Sequence, residues 1–173
     1  MKEQITISNP FVIFLTFLLG LVFITSSCQQ TDHETTAAQN EELAMAYIEA
    51  LYNAQDRAAL EELVADPQTY DGEEVSREAF LERVEGVWQA FPDMKFDLTH
   101  VVGAEGYATV RGVLTGTGGG EYRGHDIDGQ EFEVTQIILF HVQEGQIAWS
   151  YAERDDLDLW EQLGVLERPY PEE

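Results

Sequence analysis

The segment that most constrains the fold is 131–156, EFEVTQIILFHVQEGQIAWSYAERDD. Its alternating apolar residues predict two long strands, and the short polar stretch QEGQ predicts a tight turn between them. Around Ile137, Ile138 and Leu139 the first strand is apolar on both faces. A strand of this kind needs apolar cover on both of its faces.

The two faces of this strand receive different predictions, because alternate residues of a strand share one face. The predicted inward face carries Gln136, Ile138 and Phe140, which are expected to line a pocket. The opposite face presents an outer apolar stripe of Ile137, Leu139 and His141. Such a stripe predicts a sheet-to-sheet homodimer, with cover by the C-terminal helix as the alternative.

Helical patterns precede strand patterns along the chain. Apolar spacing predicts helices over 41–54, 57–65 and 76–90, strands over 95–102, 107–117, 130–142 and 146–154, and a short final helix over 156–163. Asp56, Ser76 and Asp155 stand where N-caps are expected. This order predicts an α+β domain over 40–166, in which three N-terminal helices pack on the concave face of a curved, largely antiparallel sheet.

The charge balance excludes some partners. The chain has 33 Asp and Glu residues against 9 Lys and Arg, a net charge of -24. Such a surface repels polyanions, so nucleic acid is excluded as a partner. Lysine occurs only as Lys2 and Lys95. An acidic surface poor in lysine predicts adaptation to high salt, where charge repulsion is screened, and an ordinary acidic secreted protein is the alternative.

The start of the chain has the pattern of an exported protein. Residues 11–24 form an apolar run of 14 residues, shorter than the roughly 20 that a membrane-spanning helix needs. Cys28 follows Ser26 and Ser27 and resembles a lipobox cysteine, although Thr25 stands where an aliphatic residue is usual. We therefore expect a lipoprotein signal peptide over 1–27, lipidation of Cys28, and a lipid-anchored, extracytoplasmic bacterial lipoprotein of the cell envelope. A free thiol is the alternative for Cys28.

The polar residues that follow the cysteine show no apolar period. They predict a flexible tether over 28–39 between the anchor and the folded domain. At the other end, residues 167–173 predict a polar C-terminal tail.

Three motifs resemble those of a known protein family. AFPDM at 90–94, TGTGGGEY at 115–122 and the ending EGQI…D…QLG at 144–164 resemble the SnoaL-like polyketide cyclase or ester cyclase family, within the nuclear transport factor 2-like superfamily. The resemblance covers residues 40–166 and implies a cone-shaped fold with a pocket in its mouth.

The resemblance also implies an acid/base aspartate two residues before Phe140, and Ile138 stands there. Gly118 stands where the family often has a histidine. An isoleucine cannot transfer a proton, so we do not expect the aldol-cyclase mechanism to carry over intact. The first hypothesis is therefore a pocket domain that binds a small apolar or aromatic molecule.

Other residues are candidates for the proton-transfer role that Ile138 cannot fill, and each has a structural alternative. His125 and Asp126 are candidate acid/base residues, with a polar turn as the alternative. Glu153 is a third candidate, with a strand-end ion pair as the alternative. Aromatic residues that could shape the pocket are Tyr47, Tyr52, Trp88, Phe91, Trp149 and Tyr151.

Three functions remain open from the sequence. The chain is a binding domain, or an ester cyclase or isomerase with relocated acid/base residues, or a dimeric interaction module. We expect no cofactor, because the glycine cluster at 116–120 lacks the residues of a phosphate-binding loop. The sequence also shows no Cys/His metal set.

Overall fold

A computed structural model describes residues 35–70 and 72–167. The chain divides into two compact units, Met1–Thr35 and Thr36–Glu173. The second unit contains the hydrophobic core and every strand of the described residues. Cys28, the predicted signal peptide and tail residues 168–173 lie outside the described residues, so those predictions stand as they were made.

The helices begin where capping residues stand. After a first helix α1 over residues 35–48, which continues as a π-helical turn Glu49–Asn53, come α2 Arg57–Leu63, α3 Arg77–Ala90 and α4 Asp156–Gln162. Each of these caps accepts a hydrogen bond from the backbone N–H group three residues further along the chain. The pairs are Asp56 with Ala59 at 3.1 Å, Ser76 with Ala79 at 3.2 Å and Asp155 with Asp158 at 3.0 Å. The three predicted N-caps are confirmed. The predicted tether is wrong over 35–39, which is already helical.

A six-stranded mixed sheet follows the order β2-β1-β8-β7-β4-β3. Its strands are β1 Val64–Tyr70, β2 Glu73–Val75, β3 Lys95–Ala104, β4 Tyr107–Thr117, β7 Glu131–Gln143 and β8 Gln146–Arg154, and a separate hairpin pairs β5 Glu121–Tyr122 with β6 His125–Asp126. The β1–β8 pair is parallel, whereas the other described pairs of this sheet are antiparallel. The α+β prediction is confirmed.

The sequence patterns missed β1 and β2. Residues 64–70 contain Pro67 and no regular apolar alternation, so their sequence does not predict a strand. They form a strand because they add to the edge of β8. Gln68 is fully buried there, and its amide nitrogen donates to the backbone oxygens of Ile147 and Ala148 at 2.9 Å each. Tertiary pairing therefore overrides the local sequence preference.

A β-bulge in β8 changes which side chains face the core. Val142 pairs with Ile147, but the next residue back, His141, pairs with Trp149, so one extra residue of β8 is accommodated between them. Ile147 is buried, whereas Tyr151 is 60% exposed. Trp149 and Tyr151, which were predicted to shape the pocket, and the candidate acid Glu153 therefore do not share the inner face with Ile147. The bulge turns all three to the outer face, in register with the outer stripe of β7.

The two faces of the central sheet have different surroundings. The inner residues of β4 and β7 share one core with residues of α1, α2 and α3. On the outer face, Ile137 and Leu139 are 45% and 37% exposed. Helix α4 meets β7 elsewhere, where the Gln162 side chain hydrogen-bonds both backbone groups of Glu133. The sequence analysis gave cover of the outer stripe by the C-terminal helix as one alternative. That alternative is wrong for Ile137 and Leu139.

Gly118 is required by the loop that follows β4. Its N–H donates to the Gln130 carbonyl at 2.8 Å, and its own carbonyl accepts from Gly129 N–H at 2.8 Å. Between these contacts the fully buried Ile127 crosses directly over Gly118. A Cβ atom at position 118 would overlap the backbone carbonyl of Ile127, which cannot swing aside as a side-chain tip can.

We predict that Gly118→Ala destabilises the domain by about 1–3 kcal/mol, because the added methyl group must displace a backbone carbonyl. Urea denaturation measures the change. The matched control is Gly86→Ala on the exposed side of α3, where an added Cβ meets nothing within 4 Å. That control should stabilise the domain by up to about 1 kcal/mol through helix propensity. Equal stability of Gly118→Ala and wild type would contradict this account of the loop.

Candidate functional site

A buried polar layer lies between α1 and the inner face of β7 and β8, and it consists of Tyr47, Tyr52, Gln136 and Ser150. The Gln136 Nε2 atom donates to the Tyr52 hydroxyl at 3.2 Å. The Tyr47 hydroxyl lies 3.5 Å from the Ser150 hydroxyl. Tyr47 and Gln136 are 2% and 1% exposed, so this is a polar cluster within an apolar core.

The π-helical turn at the end of α1 positions Tyr52. In this turn the Ala54 N–H donates to the Glu49 carbonyl at 2.7 Å. Asn53 ties the turn to β3, since its Oδ1 accepts from Phe96 N–H at 2.8 Å and its Nδ2 donates to the Phe96 carbonyl at 3.3 Å. Single π-helical turns within α-helices occur frequently at functional sites. The side-chain clamp of Asn53 fixes the direction from which Tyr52 meets Gln136.

Both tyrosines of the layer are held neutral. Burial raises the pKa of Tyr47 far above its ordinary value, and the neighbouring Tyr52 adds to this shift. Burial also raises the pKa of Tyr52, against smaller opposing effects of the Gln136 hydrogen bond and the Arg154 charge. A neutral phenol that accepts a hydrogen bond keeps its own proton, which is available for donation. Tyr52 is therefore a hydrogen-bond donor at neutral pH and a poor base.

The amide of Gln136 is satisfied on one side only. Its nitrogen is bonded to Tyr52, but its buried Oε1 atom has no hydrogen-bond partner among the described residues. An unpaired buried acceptor costs roughly 1–3 kcal/mol, and in native structures it often marks a place for water or a ligand. The Gln136 amide oxygen is thus the part of the layer with unused bonding capacity.

The inner face opens to solvent along the end of β8. Ala152 pairs with Ile138 across the sheet, yet Ala152 is exposed and Ile138 is 2% exposed. Arg154 pairs with Gln136 in the same register. It is half-buried, and its Nε donates to the Asp156 carboxylate at 2.6 Å. The Gln136 amide therefore lies beside an opening whose rim carries one cation.

Ile138 lies on the inner face of β7, which is the face that the sequence predicts. Its neighbours in register are Val110 on β4 and Ala152 on β8, and Val110 and Phe140 are fully buried around it. Three surface depressions of about 490, 540 and 500 Å³ are lined by other described residues, and none of them reaches Ile138 or Gln136. Ile138 is therefore enclosed by buried side chains, while its register neighbour Ala152 is exposed.

The three acid/base candidates lie away from the layer. His125 is exposed and contacts the Trp160 ring edge-on, with ring centroids 5.8 Å apart. Asp126 is exposed and accepts from the Asp128 N–H at 3.2 Å, which is the polar turn foreseen as the alternative. Glu153 is exposed on the outer face. Among the described residues, no hydrogen bond joins any of them to the buried polar layer.

The aromatic candidates divide into two groups. Tyr47 packs edge-on against Phe140 at 5.1 Å, and Phe91 contacts Phe132 at 5.2 Å, so these rings form core. Trp88 is half-buried, and its indole N–H donates to the Leu51 carbonyl at 2.6 Å. Trp149 and Tyr151 are the two that the bulge places on the outer face.

Sequence reasoning missed the roles of Ser150 and Arg154. Both belong to the inner face only because of the bulge at the start of β8. Simple alternation from Ile147 assigns them to the other side, so no local signal marked them.

The described residues contain no group of three or more His, Cys, Asp or Glu side chains arranged to hold a metal ion. In residues 35–70 and 72–167, no helix is both long and apolar enough to cross a membrane.

Helices that share a core with one face of a mixed sheet, and a polar cluster buried between them, place the chain among small α+β domains of the nuclear transport factor 2-like type. The family model described as SnoaL-like polyketide cyclase matches residues 42–163. The chain belongs to this family, which suggests a small-molecule-binding or cyclase-type domain.

Solved structures share the fold. IdmH from Streptomyces antibioticus is 26% identical, with 73% of this chain and 99% of that chain covered and a TM-score of 0.62. TsrD from Streptomyces laurentii is 24% identical, with coverage of 75% and 97% and a TM-score of 0.67. A SnoaL-like polyketide cyclase from Agrobacterium tumefaciens is 17% identical, with coverage of 70% and 95% and a TM-score of 0.62. No curated protein sequence gives a significant match.

We predict that Tyr52 and Gln136 are energetically coupled. Tyr52→Phe removes the acceptor of the Gln136 amide and leaves a second buried polar atom unpaired, which should cost about 1–3 kcal/mol. The double variant Tyr52→Phe/Gln136→Met removes both polar groups and should be more stable than the sum of the two single changes implies, by about 1 kcal/mol. Urea denaturation of the four proteins gives the coupling energy. Strict additivity would show that the contact contributes nothing.

Proposed function

We propose that this protein is an envelope-anchored SnoaL-like domain that binds a small, largely apolar or aromatic molecule beside Ala152. The single observation that carries the proposal is the buried Gln136 amide oxygen, which lacks a donor next to the opening on β8. Ile138 and Phe140 supply an apolar wall, and the Tyr52 hydroxyl supplies a donor. The proposal also includes the cone shape that the family resemblance implies, with the helices packed on the concave side of the sheet.

The layer favours a neutral ligand with one polar group. A hydroxyl on the ligand would donate to Gln136 Oε1, and an oxygen on it would accept from the Tyr52 hydroxyl. The surrounding groups are uncharged except for Arg154, which is already paired with Asp156. A buried charge without a partner would be costly there, so binding rests on apolar contact and one or two hydrogen bonds.

Replacement of the family aspartate by Ile138 is part of the same proposal. Isoleucine neither accepts nor donates a proton, and the raised pKa values of Tyr47 and Tyr52 keep both phenols protonated at neutral pH. The layer therefore suits binding rather than proton abstraction. The alternative, an ester cyclase or isomerase with relocated acid/base groups, gains no support from His125, Asp126 and Glu153, because all three are exposed and separate from the layer.

We predict that naphthol binds about tenfold more tightly than methylnaphthalene, which has similar size but no hydroxyl. The difference corresponds to about 1.4 kcal/mol, the value of one hydrogen bond to an otherwise unpaired buried acceptor. Calorimetric titration of residues 36–173 measures both affinities. Gln136→Met should abolish the preference while methylnaphthalene still binds.

The matched control for this experiment is Tyr151→Ala, which changes an aromatic residue on the outer face and should leave both affinities unchanged. If naphthol and methylnaphthalene bind equally well to wild type, or if Gln136→Met keeps the preference, Gln136 does not recognise the ligand and the proposed site is wrong.

Anchoring through Cys28 is the second part of the proposal, supported by the apolar run 11–24 that ends shortly before this cysteine. We predict that the full chain, expressed in a bacterial host, partitions with membranes and incorporates labelled palmitate. Cys28→Ser should lose the label, because a lipid cannot be attached to serine by the same route. A wild-type chain that stays unlabelled would refute lipidation.

A further inference from the structure

Arg154 lies at the rim of the buried polar layer, on the inner side of the sheet. It is the register neighbour of Gln136 across the β7–β8 pair, and its side chain is 29% exposed. Its positive charge lowers the pKa of Tyr52, against the larger opposite effect of burial. The register and this charge effect agree that the guanidinium faces the layer.

The guanidinium of Arg154 is anchored on one side and free on the other. Its Nε atom donates to the Asp156 carboxylate at 2.6 Å, which is its single ion pair with any described residue. A guanidinium carries five N–H donors, and the four on the two Nη atoms make no hydrogen bond within residues 35–70 and 72–167. These Nη donors form a planar fork that matches the two oxygens of a carboxylate. Asp156 therefore fixes the direction of the fork without filling it.

We infer that Arg154 determines the specificity of this site, and that its ligand is an aromatic carboxylic acid with a hydroxyl group at the opposite end. This inference rests on the proposed binding function. The hydroxyl group donates to Gln136 Oε1 inside the layer, and the rings lie against Ile138. The carboxylate lies at the rim, on the free fork of Arg154. The charged group thus stays outside the layer, where an unpaired anion would be costly.

One small molecule can reach both recognition groups. Residues that pair directly in an antiparallel ladder have Cα atoms about 4.5–5.5 Å apart, so the side chains of Gln136 and Arg154 leave the sheet side by side. The arginine side chain is the longer of the two, and it is the one that solvent reaches, whereas Gln136 is 1% exposed. A ligand with a hydroxyl group at one end and a carboxylate at the other matches this order of depth.

The overall charge of the chain makes this inference sharply testable. The net charge is -24, so the protein as a whole repels an anionic ligand. The exposed carboxylates of Glu153, Asp155 and Asp156 around the end of β8 add to this repulsion. A neutral methyl ester of the same compound escapes it. A preference for the acid over its ester therefore requires a local cation that outweighs the general field, and Arg154 is the cation at the rim.

The experiment is calorimetric titration of residues 36–173, which contain the whole hydrophobic core, at neutral pH. The two probes are a hydroxynaphthoic acid, with its polar groups at opposite ends of the rings, and the methyl ester of that acid. Wild type should bind the acid about tenfold more tightly, because the fork forms charge-assisted hydrogen bonds with the carboxylate. Arg154→Met should reverse the order, since the acid then meets only repulsion. Arg154→Lys keeps the charge without the fork and should give an intermediate preference.

Arg123→Met is the matched control, because it removes the same charge from an exposed turn, where Arg123 lies over the Tyr122 ring. This control should keep the preference for the acid, and circular dichroism verifies the fold of every variant. A purely structural role of Arg154 would change the affinities for acid and ester by the same factor and leave their ratio unchanged.

Two results would overturn the inference while the proposed function stands. The first is a wild type that binds the ester at least as tightly as the acid. The second is an Arg154→Met variant that keeps the wild-type preference. If neither compound binds to wild type, the proposed function itself is refuted, and the inference fails with it.

Discussion

The pairing of β7 with β8 is the interaction on which the rest of the structure depends. The bulge at the start of β8 decides which side chains of that strand enter the core. Ser150 and Arg154 thereby join Tyr47, Tyr52 and Gln136 on the inner face, while Trp149 and Tyr151 join the apolar outer face. Without the extra residue, the inner face would receive the rings of Trp149 and Tyr151 and the Glu153 carboxylate, and the outer face would lose both rings. One irregularity in one strand therefore decides which side chains of β8 face the core and which lie on the outer face.

The interior combines an apolar core with a small layer of buried polar groups. The position implied for a proton-transferring aspartate holds Ile138, packed against Val110 and Phe140. The polar layer consists of an amide, two phenols and a serine hydroxyl, and burial holds both phenols neutral. Such a layer can orient a ligand through hydrogen bonds but has no group poised to exchange a proton near neutral pH. Family membership fixes the scaffold, and these side chains determine what the scaffold can do.

Much of the fold could be predicted from the sequence because its signals are local. Helix α3 shows apolar spacing between Ser76 and Pro92, and β7 has Phe132, Val134, Ile138 and Phe140 at alternate positions, so both were placed correctly. The inward position of Ile138 followed from the same alternation. Strand β1 was missed because its sequence has no strand pattern and it forms only by pairing with β8.

The candidate site was predictable only in part, for a related reason. Alternation fails where a bulge adds one residue, and nothing within QIAWSYAER marks the bulge. Counting from Ile147 therefore reversed the faces of Trp149, Tyr151 and Glu153. The π-helical turn that aims Tyr52 at Gln136 depends on the clamp between Asn53 and Phe96, which are 43 residues apart. Contacts between distant parts of the chain decide the polar layer, and local patterns carry no record of them.

Gly118 has a consequence for how this chain could change. The backbone of Ile127 occupies the space that a side chain at position 118 would need. A histidine there, which the family resemblance implies, would first require the loop from 118 to 130 to take another path. A return to the family's pattern is therefore not one substitution away. It needs a coordinated rearrangement of the loop that carries Ile127.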